Sequence, residues 1–233
     1  MATRERLVIA LDDASLLAGG EAGDDLHEAL VAVCRQVACL VEDGRDVVVT
    51  HGFGPLLGAA LLRSALASEA LPDVPFDVCT AEVQGKLGYL IGQTLGNEFR
   101  LRGIHRTVAT VLTRVEVDPG DSAFFAPDRP VGPAFAEADA RARADDEGWT
   151  VAEAGDGAWR RVVASPKPRR IVELDSIRAL LETATVVVCC GGGGIPVVLD
   201  ERAWYMGVAA VIDLRAVSAL LAREIGGSLG EIA

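Results

Sequence analysis

The chain has 233 residues, half of them hydrophobic and 5% aromatic, and its formal net charge is −12. This length and apolar fraction predict one domain with a sizeable buried core. The negative charge argues against a nucleic-acid-binding surface, and the basic cluster at 160–170 is interpreted as mostly solvated surface. Because no charge-free apolar run reaches about 18 residues, neither a membrane span nor a signal peptide is expected.

Apolar residues recur with strand and helix periodicities that alternate along the chain. The predicted elements are, in chain order, strand 6–11, helix 24–42, strand 46–50, helix 56–67, helix 80–101, strand 107–114, helix 173–182, strand 185–190, a hairpin through Trp204 and helix 215–225. Short buried strands that alternate with helices are typical of a parallel sheet. We therefore predict the α/β class, in preference to an all-β sandwich.

The segment 117–168 interrupts this alternation. It is rich in proline and charged residues and contains an acidic stretch at 139–147. Aromatic residues such as Trp149 and Trp159 give it side chains to pack around, which distinguishes it from a disordered linker. We predict a single domain over 1–233 with an inserted, protruding subdomain at 117–168.

The chain contains five cysteines, which show no metal-ligand spacing: Cys34, Cys39, Cys79, Cys189 and Cys190. Most of them lie in apolar helix or strand patterns, where a free cysteine behaves as a small hydrophobic residue. We therefore predict reduced thiols, no metal site and a cytoplasmic location.

Four consecutive glycines, Gly191, Gly192, Gly193 and Gly194, follow the predicted strand 185–190. Main chain without side chains lets a phosphate or carboxylate approach the amide N–H groups closely. The run matches neither the GxGxxG pattern nor the phosphate loop that ends in Gly-Lys-Ser/Thr. It is interpreted either as an anion-binding loop or as a tight turn.

A second set of candidate residues lies at a strand end and in a proline-rich segment. His51, Gly52 and Gly54 follow strand 46–50, at the edge of a parallel sheet where ligands bind. His51 is either structural or a hydrogen-bond partner of a ligand. Lys167 stands between two prolines that stiffen the chain, and it is either solvated or a point charge for a phosphate.

Seven stretches in chain order carry a family resemblance: VVVTHGFGP, AEVQGKLGYLIGQTLGNE, VATVLTRVEVDPGDSAF, RPVGPAF, WRRVVASPKPRRIVE, CCGGGGIPVV and VAAVIDLRAVSALLAREIG. Together they span essentially the whole chain, which resembles the carbamate kinases, a branch of the amino-acid kinase fold. The resemblance implies a three-layer α-β-α sandwich with a mainly parallel sheet and a protruding subdomain. It also implies reversible phosphoryl transfer between ATP and carbamate, with Mg²⁺, in a cytoplasmic homodimer.

The chain departs from the family pattern after its first two strands. Asp12, Asp13 and Ala14 stand where the family has Gly-Gly-Asn, whose backbone amides line the phosphate site. Phe53 replaces a polar side chain in the family's HGNGPQVG. Two carboxylates placed against a transferring phosphoryl group would repel it.

Further departures lie near Pro130 and in the last third of the chain. Arg129 stands where the family has a lysine, which keeps the charge but not the compact ammonium. Leu214 and Arg215 replace the Lys-Asp pair of the family's Ile-Asp-Lys-Asp, so a charge-neutralising lysine is lost. Family members continue into a nucleotide-binding part with another lysine, and we expect most of that part to be missing.

These departures predict a carbamate kinase-like protein that is impaired or inactive as an ATP-dependent kinase and keeps a pocket for a carbamate- or carbamoyl phosphate-like anion. Two alternatives stay open. In one, the protein performs different chemistry on a carbamoyl-type ligand, with Asp12 or Asp13 as general base or metal ligand. In the other, an active kinase is completed by a partner chain.

The expected roles of the residues follow from this interpretation. Arg129 and Lys167 are the candidate catalytic residues. His51 and the glycines of both motifs are the candidate anion-binding residues. No cofactor is assigned, apart from Mg-ATP if kinase activity is retained, and the expected partners are a small anion and either a second copy or another chain.

Overall fold

The computed structural model describes residues 4–13, 24–53, 55–67, 70–155 and 157–231. The helices are α1 (Asp24–Glu42), α2 (Pro55–Ala67), α3 (Phe76–Arg102), α4 (Glu137–Glu147), α5 (Leu174–Glu182) and α6 (Leu214–Ile225). The strands are β1 (Arg6–Leu11), β2 (Asp46–His51), β3 (Val108–Thr110), β4 (Arg114–Val117), β5 (Arg129–Phe135), β6 (Thr150–Glu153), β7 (Trp159–Val163), β8 (Pro168–Ile171), β9 (Val186–Val188), β10 (Ile195–Leu199), β11 (Tyr205–Gly207) and β12 (Ser228–Gly230).

The largest sheet is parallel throughout and has the order β12-β1-β2-β9-β3. β2 lies at its centre and is buried along its whole length. In the register of the sheet, Val8 lies opposite Val48, and Val49 lies opposite Val188. Because the strands are parallel, the segments that follow β1, β2 and β9 meet at one edge of the sheet.

Helices cover both faces of this sheet. Successive strand residues point to opposite faces, so Ile9 and Val47 pack with α1 and α3, whereas Val8 and Val48 pack with α5 and α6. The purely apolar sequence of the strands reflects burial on both sides. The predicted α/β class, with three layers and a mainly parallel sheet, is confirmed.

The prediction of one strand at 107–114 is wrong, because the chain changes sheet there. β3 pairs with β9, whereas β4 pairs with β8 and β10 in a second sheet of order β11-β10-β4-β8. At the break, the N–H of Thr113 donates to Oε1 of Gln84 at 2.6 Å, and the Thr113 hydroxyl donates to the carbonyl of Val111 at 2.8 Å. These bonds take the place of ladder bonds, so a continuous apolar run is divided between two sheets.

Two outcomes concern the C-terminal half. The predicted hairpin through Trp204 is confirmed, since β10 and β11 pair in antiparallel fashion. The glycine-containing segment after α6 carries no strand prediction, yet β12 pairs in parallel with β1, with Ser228 opposite Leu7.

A third, antiparallel sheet of order β5-β7-β6 lies within the segment 117–168. The guanidinium of Arg161 on β7 lies 4.8 Å from the ring centroid of Trp149 and 5.4 Å from that of Phe76. These cation–π contacts join the third sheet to the start of α3. The interpretation of the segment as an inserted, protruding subdomain stays a prediction. Across the described ranges, no helix combines the length and apolarity needed to cross a bilayer.

Candidate functional site

A cleft of about 800 Å³ opens at the edge where the parallel strands end, between the large sheet and the third sheet. The predicted site residues that line it are Asp12, Asp13, Gly52, Phe53, Arg129, Gly192, Leu214 and Arg215. His51, Lys167, Gly191, Gly193 and Gly194 are not part of the lining. Ala14 and Gly54 lie outside the described residues.

His51 lies beneath the cleft at the end of β2 and is 1% exposed. Its Nδ1 lies 2.9 Å from the carbonyl oxygen of Gly52, so Nδ1–H donates this bond. Burial lowers the pKa of His51 to about 4, an effect that the bond to Gly52 opposes in part. The ring is therefore neutral near pH 7, and its Nε2 edge packs against Gly191. In this position His51 supports the glycine run from below.

The glycine run is packed too closely to carry side chains. A Cβ on Gly191 would collide with His51, one on Gly192 with the ring of Phe53, one on Gly193 with the carbonyl of Ile212 and one on Gly194 with Val115. Gly192, Gly193 and Gly194 also have positive φ angles of 61°, 83° and 88°. Contact and backbone conformation therefore both require glycine here.

Gln84 on α3 fixes the position of the glycine run. Its Nε2 donates to the carbonyl oxygen of Gly191 at 2.9 Å, and its Oε1 accepts from the N–H of Thr113 at 2.6 Å. The side chain is 1% exposed. Gln84 is not among the predicted site residues, although the sequence carries a signal for it, an amide on an otherwise apolar helix face inside the stretch AEVQGKLGY.

Three carboxylates line the cleft, those of Asp12, Asp13 and Asp213. A Cβ on Gly52 would overlap Oδ1 of Asp13, so this carboxylate lies directly against the turn after β2. Asp213 has a structural task as well, since its Oδ1 accepts from the N–H of Ala216 at 2.9 Å and caps α6.

Three guanidinium groups balance these carboxylates, those of Arg129, Arg160 and Arg215. Arg160 is an exception within 160–170, a cluster that we interpret as mostly solvated surface, because its side chain is partly buried and lines the cleft. Its Nη1 donates to the carbonyl oxygen of Gly132 at 2.7 Å, which orients the guanidinium. The bond forms because β7 pairs with β5, and this pairing cannot be read from the sequence of β7 alone.

Lys167 lies outside the cleft lining. Its side chain is exposed, and its backbone N–H donates to Oδ2 of Asp121 at 3.0 Å. The proline-flanked segment is thus held by its main chain. Across the described ranges, no three His, Cys, Asp or Glu side chains lie close enough together to hold a metal ion.

No family model matches this chain. The carbamate kinase of Pyrococcus horikoshii is 41% identical over 229 residues, which are 97% of this chain and 73% of that protein. The carbamate kinase-like protein YahI of Escherichia coli is 42% identical over 95% of this chain and 72% of its own length. The carbamate kinase from Giardia lamblia bound to AMP-PNP superposes with a TM-score of 0.91 at 33% identity, over 100% of this chain and 75% of that one. With an α/β fold and relatives at this level of identity, the chain belongs to the carbamate kinase family.

Proposed function

We propose that this carbamate kinase-like protein binds a small anion of the carbamate or carbamoyl phosphate type in the cleft and is impaired in phosphoryl transfer from ATP. The observation that carries the proposal is the lining of the cleft. It combines Arg129 and Arg160 with Gly192 of the glycine run, which suits an anion, and it adds Asp12 and Asp13, which do not suit a phosphoryl group.

Anion binding is supported by the two arginines of the third sheet. A guanidinium can donate two parallel hydrogen bonds to one carboxylate or phosphate group. Arg160 is already oriented by its bond to Gly132, so less side-chain freedom is lost when a ligand binds. The lining around Gly192 adds a surface on which a ligand can approach the main chain closely.

Impaired phosphoryl transfer is supported by the charges of the same cleft. Catalysis of this reaction depends on positive groups and dipoles placed around the transferring phosphoryl group. A like-charge pair at about 4 Å costs roughly 4 kcal/mol at an effective dielectric of about 20, and two carboxylates add to one another. Leu214, which also lines the cleft, contributes no compensating charge.

Asp12 and Asp13 also favour a second candidate, an enzyme with different chemistry on a carbamoyl-type ligand. Carboxylates in a cleft beside an anion site can act as a general base toward a bound water or amine. The Asp13 carboxylate, fixed against Gly52, would be such a group.

The test combines binding and turnover. Purified protein is titrated calorimetrically with carbamoyl phosphate, with acetate as a stable stand-in for carbamate, and with Mg-ATP. ADP formation from carbamate is measured beside the Pyrococcus horikoshii enzyme. We expect at least one small anion to bind and ADP to form at least about a hundredfold more slowly than with the reference enzyme, about 2.7 kcal/mol in barrier height.

Matched variants separate the site from the rest of the surface. Arg160→Met should weaken anion binding by about tenfold or more, because it removes an oriented charged donor. Arg141→Met is the control, since Arg141 is exposed on α4 and forms an ion pair with Glu137. Binding of neither anion would overturn the proposed pocket, and turnover at the rate of the reference enzyme would overturn the proposed impairment. Activity that appears only on addition of a second chain would favour completion by a partner.

We also propose that the protein acts in the cytoplasm as a homodimer, as the family resemblance implies. Its five thiols are free and four of them are buried, which suits a reducing compartment. Val78, Tyr89 and Leu101 leave large apolar groups exposed along α3, a surface that a second copy could cover. Light scattering of the purified protein tests the homodimer, and a monomer at micromolar concentration would contradict it.

A further inference from the structure

Phe53 occupies the space directly beside the glycine run. Its ring would overlap a Cβ on Gly192, so the ring lies against the main chain of that glycine. Phe53 is only 6% exposed, and it packs in one apolar cluster with Leu57 and Val131. A ring held in this way takes up volume that a ligand would otherwise use to reach Gly192.

The main chain beside this ring has unused hydrogen-bonding capacity. The N–H groups of Gly193 and Gly194 donate to the carbonyl oxygens of Cys190 and Gly191. Among the described residues, no acceptor is found for the N–H groups of Gly191 and Gly192, although both residues are buried. Buried N–H groups are almost always paired, so the N–H of Gly192, which lines the cleft, is available to an acceptor that enters from there.

The space and the charges together restrict that acceptor. A carboxylate or carbamate group is planar and presents two oxygens, whereas a phosphoryl group is tetrahedral and needs room on all sides. The lining carries three carboxylates and three guanidinium groups, so its formal charge is zero. Because the lining gives no net attraction, the local charge decides, and the Asp13 carboxylate beside Gly52 repels a dianion about twice as strongly as a monoanion at the same distance.

We propose that the cleft selects planar, carboxylate-type monoanions over phosphoryl dianions, with Phe53 as the steric and Asp13 as the electrostatic determinant. The inference rests on the proposed anion pocket. It assigns this pocket to a carbamate-type group and not to the phosphoryl group of the family reaction. The phosphate side is closed by residues of this chain.

The experiment is a pair of calorimetric titrations, with acetate and with inorganic phosphate, at a pH above the second pKa of phosphate. The variants are Phe53→Leu, Phe53→Asn, Asp13→Asn, the double variant Phe53→Leu/Asp13→Asn, and Leu66→Asn. The leucine variant keeps the apolar contact and removes ring volume, so it serves if the asparagine variant fails to fold. Leu66→Asn is the control, because Leu66 lies on α2 outside the cleft lining and is 76% exposed.

We expect the unaltered protein to bind acetate at least about tenfold more tightly than phosphate. Phe53→Leu and Asp13→Asn should each reduce this ratio by about threefold or more, and together by about tenfold, while Leu66→Asn leaves it unchanged. Equal or tighter binding of phosphate by the unaltered protein would overturn the inference and leave the anion pocket intact. An unchanged ratio in folded Phe53→Leu and Asp13→Asn variants would overturn the assignment of the two determinants. Binding of neither anion would overturn the pocket itself and the inference with it.

Discussion

The side-chain amide of Gln84 and the carbonyl oxygen of Gly191 are joined by a 2.9 Å hydrogen bond across the interior of the protein. The same amide accepts from the N–H of Thr113 at 2.6 Å. A helix in one layer thus holds two irregular segments at the edge of the large sheet, one after β9 and one between β3 and β4. The floor of the cleft depends on this side chain.

Replacement of Gln84 by alanine should destabilise the protein by about 1–3 kcal/mol, because the buried N–H of Thr113 loses its acceptor, whereas the carbonyl oxygen of Gly191 keeps its bond from the N–H of Gly194. Urea denaturation measures the effect. Gln93→Ala is the matched control, since Gln93 is exposed on the same helix, and it should change stability by no more than about 0.5 kcal/mol. Equal midpoints for the two variants would show that the Gln84 bonds contribute nothing net.

His51 should make stability depend on pH in the acidic range. Its pKa is lowered to about 4 by burial, so the unfolded chain binds a proton more readily than the folded protein does. The contribution of the neutral His51 ring to the free energy of unfolding is fully present above the unfolded pKa of about 6.5. It is lost as pH falls through the folded pKa of about 4, by about 3 kcal/mol in total.

This pH dependence can be assigned with variants. His51→Gln should flatten the fall in unfolding free energy between about pH 6.5 and pH 4. His105→Gln, at an exposed position, should keep the slope of the unaltered protein. An NMR titration in which the His51 ring protonates near pH 6.5 would contradict the prediction.

Alanine substitutions at two glycines should change the free energy of unfolding in opposite directions. Gly192→Ala combines a φ of 61° with overlap on Phe53, and we expect a loss of about 2–4 kcal/mol from backbone strain and overpacking. Gly96→Ala lies in the interior of α3, where a Cβ meets nothing within 4 Å, and it should gain about 0.5–1 kcal/mol.

Thermal denaturation of both variants provides the measurement. Phe53→Leu in the Gly192→Ala background should recover part of the loss, because it relieves the overlap but not the strain. A destabilised Gly96→Ala variant, or no recovery in the double variant, would contradict the packing described for these positions.

The cysteines should differ sharply in reactivity. Burial raises the pKa of Cys34 to about 12, and Cys189, next to Cys190, has a raised pKa through its hydrogen bond to Cys190 and its burial. Cys39 is the exposed thiol of the five. Since the thiolate is the reactive form, a thiol reagent at pH 8 should modify Cys39 quickly and the buried thiols only on unfolding.

Counting the modified thiols before and after denaturation tests this expectation. The Cys39→Ser variant should show no rapid modification in its native state. Rapid reaction of that variant would mean that one of the buried thiols becomes accessible through local opening.

Much of the fold was accessible from local patterns. α1 and β1 coincide with their predicted bounds, because an amphipathic period and a buried apolar run are properties of consecutive residues. β12 was not accessible, since three residues at Ser228–Gly230 become a strand only through pairing with β1 at the other end of the chain. The division of 107–114 was equally hidden, because the polar groups that separate β3 from β4 include Gln84 on a distant helix.

The candidate site divides in the same way. The sequence by itself determined the family, the parallel α/β class and the positions where carboxylates, an aromatic ring and glycines follow buried strands, since these are matters of residue type and order. Only the tertiary structure decided which side chains share a cleft. Arg160 lines the cleft, Lys167 does not, and His51 lies beneath it. The physical reason is that a strand side chain points to one face or the other according to pairing register, and register is set by contacts between residues far apart in the chain.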